Sequence, residues 1–138
     1  MIRFVMDTDT FTLFCHQHTA VVAQVDASFS ETSVTTITVE EQFAGWFAKL
    51  QQLRLPTEYA RTSRRIATTA RLLSLFQIAH MSESALARFD SLLKLKLNVG
   101  RMDLRIAAIA LDANGTVVTR NARDFGRVPG LTIVDWSV

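Results

Sequence analysis

Short apolar runs alternate with longer amphipathic stretches along this 138-residue chain. The runs are rich in apolar and β-branched residues and predict strands at 2–6, 35–38, 78–81, 116–119 and 131–134. Between them, apolar residues recur at helical spacing and predict helices at 8–14, 20–28, 39–55, 58–75, 83–93 and 102–112. Asp7, Thr57 and Ser82 are expected to cap three of these helices. This alternation predicts one α/β domain with a mainly parallel central sheet.

Four polar residues stand where these segments give way to a helix or a turn. Asp7 ends the first apolar run, Glu41 follows Thr-Ile-Thr-Val, Asp103 opens an alanine-rich helix, and Asn121 follows Val-Val-Thr-Arg. Such junctions lie at one edge of an α/β sheet, so distant residues can converge there. Three acids and an amide at one edge form an oxygen-rich site suited to Mg²⁺ or Mn²⁺. Acids packed together raise one another's pKa, so their clustering itself favours a bound cation.

Each of the four residues also has an ordinary structural explanation. Asp7 and Asp103 lie at helix starts, where a carboxylate accepts backbone N–H groups. Glu41 fits a surface position in a first helical turn, and Asn121 is a common turn residue. Only the joint pattern therefore favours a functional site.

Composition limits the classes of protein to which this chain can belong. A hydrophobic share of 49% with two prolines and five glycines indicates a compact core. The single Cys15 cannot form an internal disulfide, which favours a reducing cytoplasm. The apolar stretch at 1–6 is too short for a secretory signal, and no run is long enough to span a membrane.

Arginine placement says more than the net charge of +2, which by itself does not indicate a nucleic-acid partner. Arginines cluster in the middle of the chain and again near its end. The best candidates for contacting the phosphates of a polyanion such as a nucleic acid are Arg64, Arg65, Arg120 and Arg123, with a solvated helix face as the alternative for each. Trp46 lies on an apolar stripe and is expected to be core or interface instead of a base-stacking platform.

Four segments of the chain resemble the signature of PIN-domain ribonucleases, most closely the VapC-type toxins of bacterial toxin–antitoxin modules. They are Met-Asp-Thr-Asp at 6–9, Ile-Thr-Val-Glu-Glu at 37–41, Met-Asp-Leu-Arg-Ile-Ala-Ala at 102–108, and Val-Thr-Arg-Asn-Ala-Arg-Asp-Phe-Gly-Arg-Val-Pro-Gly-Leu at 118–131. The resemblance runs from residue 2 to about Trp136 and is most specific from Gly100 onwards. It implies a PIN-like three-layer α/β/α fold spanning residues 1–138.

The resemblance also implies an activity, an Mg²⁺- or Mn²⁺-dependent endoribonuclease, and assigns residues to it. Asp7, Glu41 and Asp103 match the family's acids, with Glu41 preferred over Glu40. Asn121 falls where many relatives have a fourth acid. Asp124 is expected either to contribute carboxylate charge to the metal site through water or only to cap the turn before Phe125, and Asp9 stands where asparagine is more typical. A small antitoxin that places an arginine among the acids, an RNA substrate and homodimerisation are implied as well, with the helices around Trp46 and Leu72–Leu73 as candidate dimer surface.

Two other functions stay open at this point. Asp7-Thr8-Asp9 superficially suits a phosphatase-like hydrolase with a phosphoryl-accepting aspartate, but that class would want a lysine before its last acidic motif, and no lysine follows Lys96. The second alternative is a non-catalytic binding module in which the acids serve only as helix caps.

Overall fold

A computed structural model describes all residues, 1–138, and contains one five-stranded sheet. The strands are β1 (Phe4–Met6), β2 (Thr32–Thr35), β3 (Gln77–Ala79), β4 (Thr116–Val118) and β5 (Thr132–Val134). All neighbouring strands pair in parallel, in the order β3-β2-β1-β4-β5. The helices are α1 (Thr8–Cys15), α2 (Thr19–Ala27), α3 (Thr36–Gln52), α4 (Pro56–Leu73), α5 (Glu83–Lys94), α6 (Arg101–Asp112) and the short α7 (Ala122–Phe125), and a 3₁₀ turn covers Phe29–Glu31.

Helices cover both faces of the sheet, because successive strand residues point to opposite sides. In β1, Val5 packs into a core with residues of α5 and α6, whereas Met6 packs into a second core with residues of α1, α2 and α4. In β4, Val117 and Val118 divide between the two cores in the same way. The predicted three-layer α/β/α architecture is therefore confirmed, with a sheet that is parallel throughout.

Helix starts follow local capping chemistry. Asp7 and Ser82 accept hydrogen bonds from the backbone N–H groups of Thr10, at 2.8 Å, and Ala85, at 3.1 Å, as predicted. The expected cap at Thr57 is wrong, since Pro56 already occupies the first turn of α4. Proline suits that place because its fixed φ is helical and the missing N–H would have no partner there.

The second strand lies earlier than predicted: β2 is Thr32–Thr35, and α3 begins at Thr36, inside the predicted strand. Thr35 caps α3 by accepting a bond from the Thr38 N–H at 3.2 Å. The polar strand residues can be buried because their hydroxyls find backbone acceptors, Thr32 on the carbonyl of Ser28 and Ser33 on that of Phe4. As a result, Glu41 lies within α3 and not at the end of a strand.

Surface features bear on two further expectations. None of the helices combines the length and the apolar character that crossing a membrane requires. Leu73, part of the candidate dimer surface, is only 3% exposed and belongs to the core, whereas Leu72 and Trp46 are half-buried. Homodimerisation stays a prediction.

Candidate metal centre

An acidic cleft opens beyond the carboxyl ends of β1 and β4. The chain runs from central β1 outwards through β2 and β3, then returns to β4 on the other side, so a crevice forms between β1 and β4 where ligands of open α/β sheets bind. The cleft has a volume of about 500 Å³ and only polar or charged lining residues. These are Asp7, Thr8, Asp9, Glu41, Asp103, Arg120 and Asn121. All four residues singled out from the sequence therefore line one cleft.

Asp7 follows β1 directly and is only 4% exposed. Its Oδ1 accepts the Thr10 N–H, so the capping explanation for this residue is correct. Burial raises the pKa of Asp7, and hydrogen bonds from Thr119 and Thr10 offset part of that rise. The same carboxylate thus caps α1 and lines the cleft, and the two explanations do not exclude each other.

Asp103 lies in the first turn of α6 and is half-buried. Burial, followed by the negative charges of Asp7, Glu41 and Asp124, raises the pKa of Asp103 to about 6. The four ion pairs of the chain do not include Asp103, Asp7 or Glu41. Asp103, Asp7 and Glu41 therefore repel one another, and none of the three is ion-paired with a cation of the protein.

Glu41 reaches the cleft from the second turn of α3. The Thr8 hydroxyl donates to Glu41 Oε1 at 2.6 Å and lies 3.0 Å from the hydroxyl of Thr38, from which it can accept a bond. Glu40 is exposed and does not line the cleft, which agrees with choosing Glu41. Sequence reasoning missed Thr8, and the only available signal was its place directly after Asp7.

Asn121 follows β4 and caps the short helix α7. Its Oδ1 accepts the Asp124 N–H at 3.3 Å, and its Nδ2 donates to Asp124 Oδ2 at 3.0 Å. Arg127 Nη1 donates to the other oxygen of Asp124 at 3.2 Å. Asp124 therefore lies outside the cleft lining, already paired with Arg127, and affects the site through its charge on Asp103.

The four arginines predicted to contact RNA lie in different places. Arg120 lines the cleft and forms a bidentate ion pair with Asp9, with Nε–Oδ2 at 2.8 Å and Nη2–Oδ1 at 3.0 Å. Arg123 is exposed on α7 and is not part of the cleft. Arg64 and Arg65 line a different pocket, on α4. Only Arg120 is positioned beside the acids.

The donor chemistry of the cleft fits a hydrated divalent cation. No three Asp, Glu, His or Cys side chains lie close enough to hold a metal ion unaided. Mg²⁺ commonly binds one or two carboxylates and keeps several water molecules, so it does not need a complete protein cage. The carboxylates of Asp7, Glu41 and Asp103, which form no ion pair, and the amide oxygen of Asn121 are hard ligands of the type this ion prefers.

Comparison with solved structures identifies the fold. The sequence matches no protein-family model and no curated protein. A chain of DNA-bound VapBC from Salmonella typhimurium superposes with a TM-score of 0.80 at 24% identity, covering 99% of each chain. VapBC-1 from nontypeable Haemophilus influenzae gives 0.77 at 22% identity over 100% of each chain. A toxin–antitoxin complex from Klebsiella pneumoniae gives 0.68 at 22% identity over 94% of each chain. The resemblance stated from the sequence is thus confirmed for the fold, and the chain is a PIN-like α/β/α domain.

Proposed function

We propose that this protein is a metal-dependent endoribonuclease and the toxin of a two-component toxin–antitoxin module. The observation that carries the proposal is the convergence of Asp7, Glu41 and Asp103 on one polar cleft, where none of the three acids is ion-paired. A phosphodiester carries negative charge and has no activated leaving group, so its hydrolysis needs the charge neutralisation that such a site can recruit.

Each residue has a distinct role in this proposal. Asp7 and Asp103 hold Mg²⁺ or Mn²⁺, and Asn121 completes the polar shell. When bound, the cation lowers the pKa of a coordinated water and neutralises charge on the phosphoryl oxygens. Glu41 ligates the cation or accepts the proton of the attacking water, and Thr8 fixes the orientation of its carboxylate.

Arg120 supplies the positive charge that a polyanionic substrate needs beside these acids. Its guanidinium is held at the cleft by both oxygens of Asp9, and a paired guanidinium keeps further N–H groups for a phosphate oxygen. In this proposal Asp9 orients Arg120. That role explains why an acid stands at position 9, where asparagine is more typical of the family that the sequence resembles.

The toxin role rests on the kind of complexes that contain similar chains, namely VapBC assemblies and a toxin–antitoxin complex. A small antitoxin would block the cleft by placing an arginine among the acids, where charge-assisted hydrogen bonds are strong. A small gene directly upstream that encodes a DNA-binding protein would support this partner. Homodimerisation is part of the same proposal.

One cleavage experiment tests the enzyme proposal. Purified protein is incubated with structured RNA and Mg²⁺, next to Asp7→Asn and Asp103→Asn, with Asp90→Asn as a control at an exposed acid on α5. We expect cleavage by wild type and the control, and loss of cleavage in both cleft variants and after chelation with EDTA.

Other results of that experiment would contradict the proposal. Cleavage that survives both cleft substitutions would refute the assigned mechanism. Hydrolysis of a small phosphomonoester without RNA cleavage would favour a phosphatase-like hydrolase, although Asp9, its expected second acid, is paired with Arg120. Absence of hydrolysis together with absence of Mg²⁺ binding would favour the binding module.

A further inference from the structure

A second pocket, of about 360 Å³, lies where α1, α3 and α4 meet. We call it the arginine pocket, defined by Arg61, Arg64, Arg65, His16 and Trp46. Its remaining lining residues are Cys15, Thr68, Thr69 and Leu72. None of these residues lines the acidic cleft.

The positive charge of the arginine pocket is not neutralised within the protein. The segment 54–71 contains five arginines and a single acid, Glu58. The ion pairs of the chain use Arg3, Arg88, Arg120 and Arg127, so none of the three pocket arginines is paired. Three guanidinium groups around one concavity form a site for a phosphate group, which they can contact through several N–H donors.

Trp46 holds part of this pocket in place. Its indole Nε1 donates to Thr69 Oγ1 at 3.1 Å, which ties α3 to α4. The guanidinium carbon of Arg65 lies 6.0 Å from the centroid of the indole ring, and Lys49 Nζ lies 5.7 Å from it. Since cations already lie over the ring, Trp46 serves to position Arg65 through a cation–π contact and not to stack on a base.

Two helices run side by side from the acidic cleft to the arginine pocket. Thr8 contacts Glu41 in the cleft, and one turn further along α1 Thr12 Oγ1 accepts a bond at 2.9 Å from Nε2 of Gln42, the residue after Glu41 on α3. Beyond that contact, Cys15 at the end of α1 and Trp46 on α3 line the arginine pocket. At 1.5 Å per residue, the pocket is roughly 10 Å from the cleft along α1 and roughly 8 Å along α3.

We propose that the arginine pocket binds a backbone phosphate of the RNA strand whose scissile phosphate occupies the acidic cleft. This inference rests on the proposed ribonuclease function and adds a positioning site for the substrate. The pocket neutralises a phosphate outside the reacting centre and holds the strand along α1 and α3. It contributes affinity without choosing a sequence, because phosphates are common to all RNA.

The test measures binding of a short fluorescent single-stranded RNA by anisotropy over a range of salt concentrations. All proteins carry Asp103→Asn to prevent cleavage, and Arg64→Ala/Arg65→Ala is compared with Arg71→Ala, an exposed arginine of α4 outside the pocket. We expect the double variant to bind about tenfold more weakly, with the slope of log K against log salt reduced by about 0.7 for each phosphate that is no longer bound. Arg71→Ala should match the parent protein.

A second variant separates the positioning role of Trp46 from simple unfolding. Trp46→Leu removes the aromatic face, and we expect weaker binding with a reduced salt slope while thermal unfolding stays cooperative. Loss of the bond to Thr69 lowers the unfolding temperature in either case, and a merely structural role of Trp46 would leave the salt slope unchanged. In the cleavage-competent protein, Arg64→Ala/Arg65→Ala should raise KM about tenfold and leave kcat almost unchanged.

Unchanged affinity and salt slope in the double variant would overturn the pocket proposal. The proposal would also be overturned if Arg64→Ala/Arg65→Ala bound and cleaved RNA like wild type but no longer bound an acidic protein partner. The pocket would then be a protein-docking site. If wild-type protein cleaves no RNA, the proposed function fails, and the binding comparison still decides separately whether the pocket holds a phosphate.

Discussion

Replacing Asp103 with asparagine should stabilise the protein while it removes activity. Burial and neighbouring acids raise the pKa of the Asp103 carboxyl from its usual 3.8 to about 6. At 1.36 kcal/mol per pKa unit, this shift corresponds to roughly 3 kcal/mol of cost to the folded state at neutral pH. Asp103 is half-buried and water screens part of this repulsion, so the expected gain from Asp103→Asn is about 1 to 2 kcal/mol.

The stability that Asp103→Asn gains over wild type depends on pH, in a direction set by the raised pKa of Asp103. Between pH 3.8 and about 6 the folded protein keeps a proton on Asp103 that the unfolded chain has released. The free energy of unfolding of wild type therefore falls as the pH rises through this interval and levels off above it. Asp7, whose pKa is also raised, acts in the same direction. Asp103→Asn removes the part of this dependence that comes from Asp103, so its advantage is absent near pH 4 and complete above about pH 6.

The assay is urea unfolding followed by circular dichroism at pH 4 and pH 7.5, in buffer with EDTA. The exposed Asp90→Asn on α5 serves as the control and should change stability by less than about 0.5 kcal/mol. Adding Mg²⁺ should stabilise wild type by mass action and Asp103→Asn much less. An Asp103→Asn protein that is no more stable than wild type at pH 7.5, or that shows the same advantage at both pH values, would refute this reasoning.

Three further outcomes are expected. Glu41→Gln should lower RNA cleavage about 100-fold or more, whereas Glu40→Gln should cleave like wild type, and the reverse pattern in a gel assay would move the active glutamate by one residue. Ser82→Ala removes the cap of α5 and should lower the free energy of unfolding in urea by about 1 kcal/mol. Ser84→Ala leaves this cap in place and removes only exposed bonds, to Asp112 and to the Ser82 hydroxyl, so an equal decrease in both serine variants would argue against the cap. Burial raises the pKa of Cys15 to about 11, so iodoacetamide should alkylate it at pH 7.5 far more slowly than free cysteine, and equal rates by mass spectrometry would contradict this.

Most of the architecture follows from local patterns. The alternation of strands and helices requires a parallel sheet, and a parallel sheet brings the residues after β1 and β4 to one edge. Asp7 and Asn121 were predictable at that edge because Asp7 directly follows an apolar strand and Asn121 lies three residues after the end of another. The capping bond of Asp7 was predictable as well, since aspartate accepts from the N–H groups of a first helical turn. The capping bond of Asn121 was not, because the sequence predicted a turn there and no helix α7.

Other features depend on partners far away in the sequence. The position of β2 depends on buried hydroxyls of Thr32 and Ser33 that are satisfied by distant carbonyls, which a propensity for β-branched residues at 35–38 cannot reveal. The pairing of Asp9 with Arg120 joins residues from opposite ends of the chain. Apart from its place directly after Asp7, Thr8 gave no signal, because its contact with Glu41 exists only once α1 and α3 lie side by side.

The pairing of β1 with β4 has a consequence for synthesis of the chain. Phe4 leaves the ribosome early, but its partner Thr116 is made only after all of α1 to α6. Contacts so distant in sequence form late in folding, since closing the intervening loop must come first. A growing chain can therefore contain Asp7, Glu41 and Asp103 and still lack the wall of the cleft that follows β4. Any activity of the cleft is withheld from the nascent chain until β4 and the cleft residues Arg120 and Asn121 have left the ribosome.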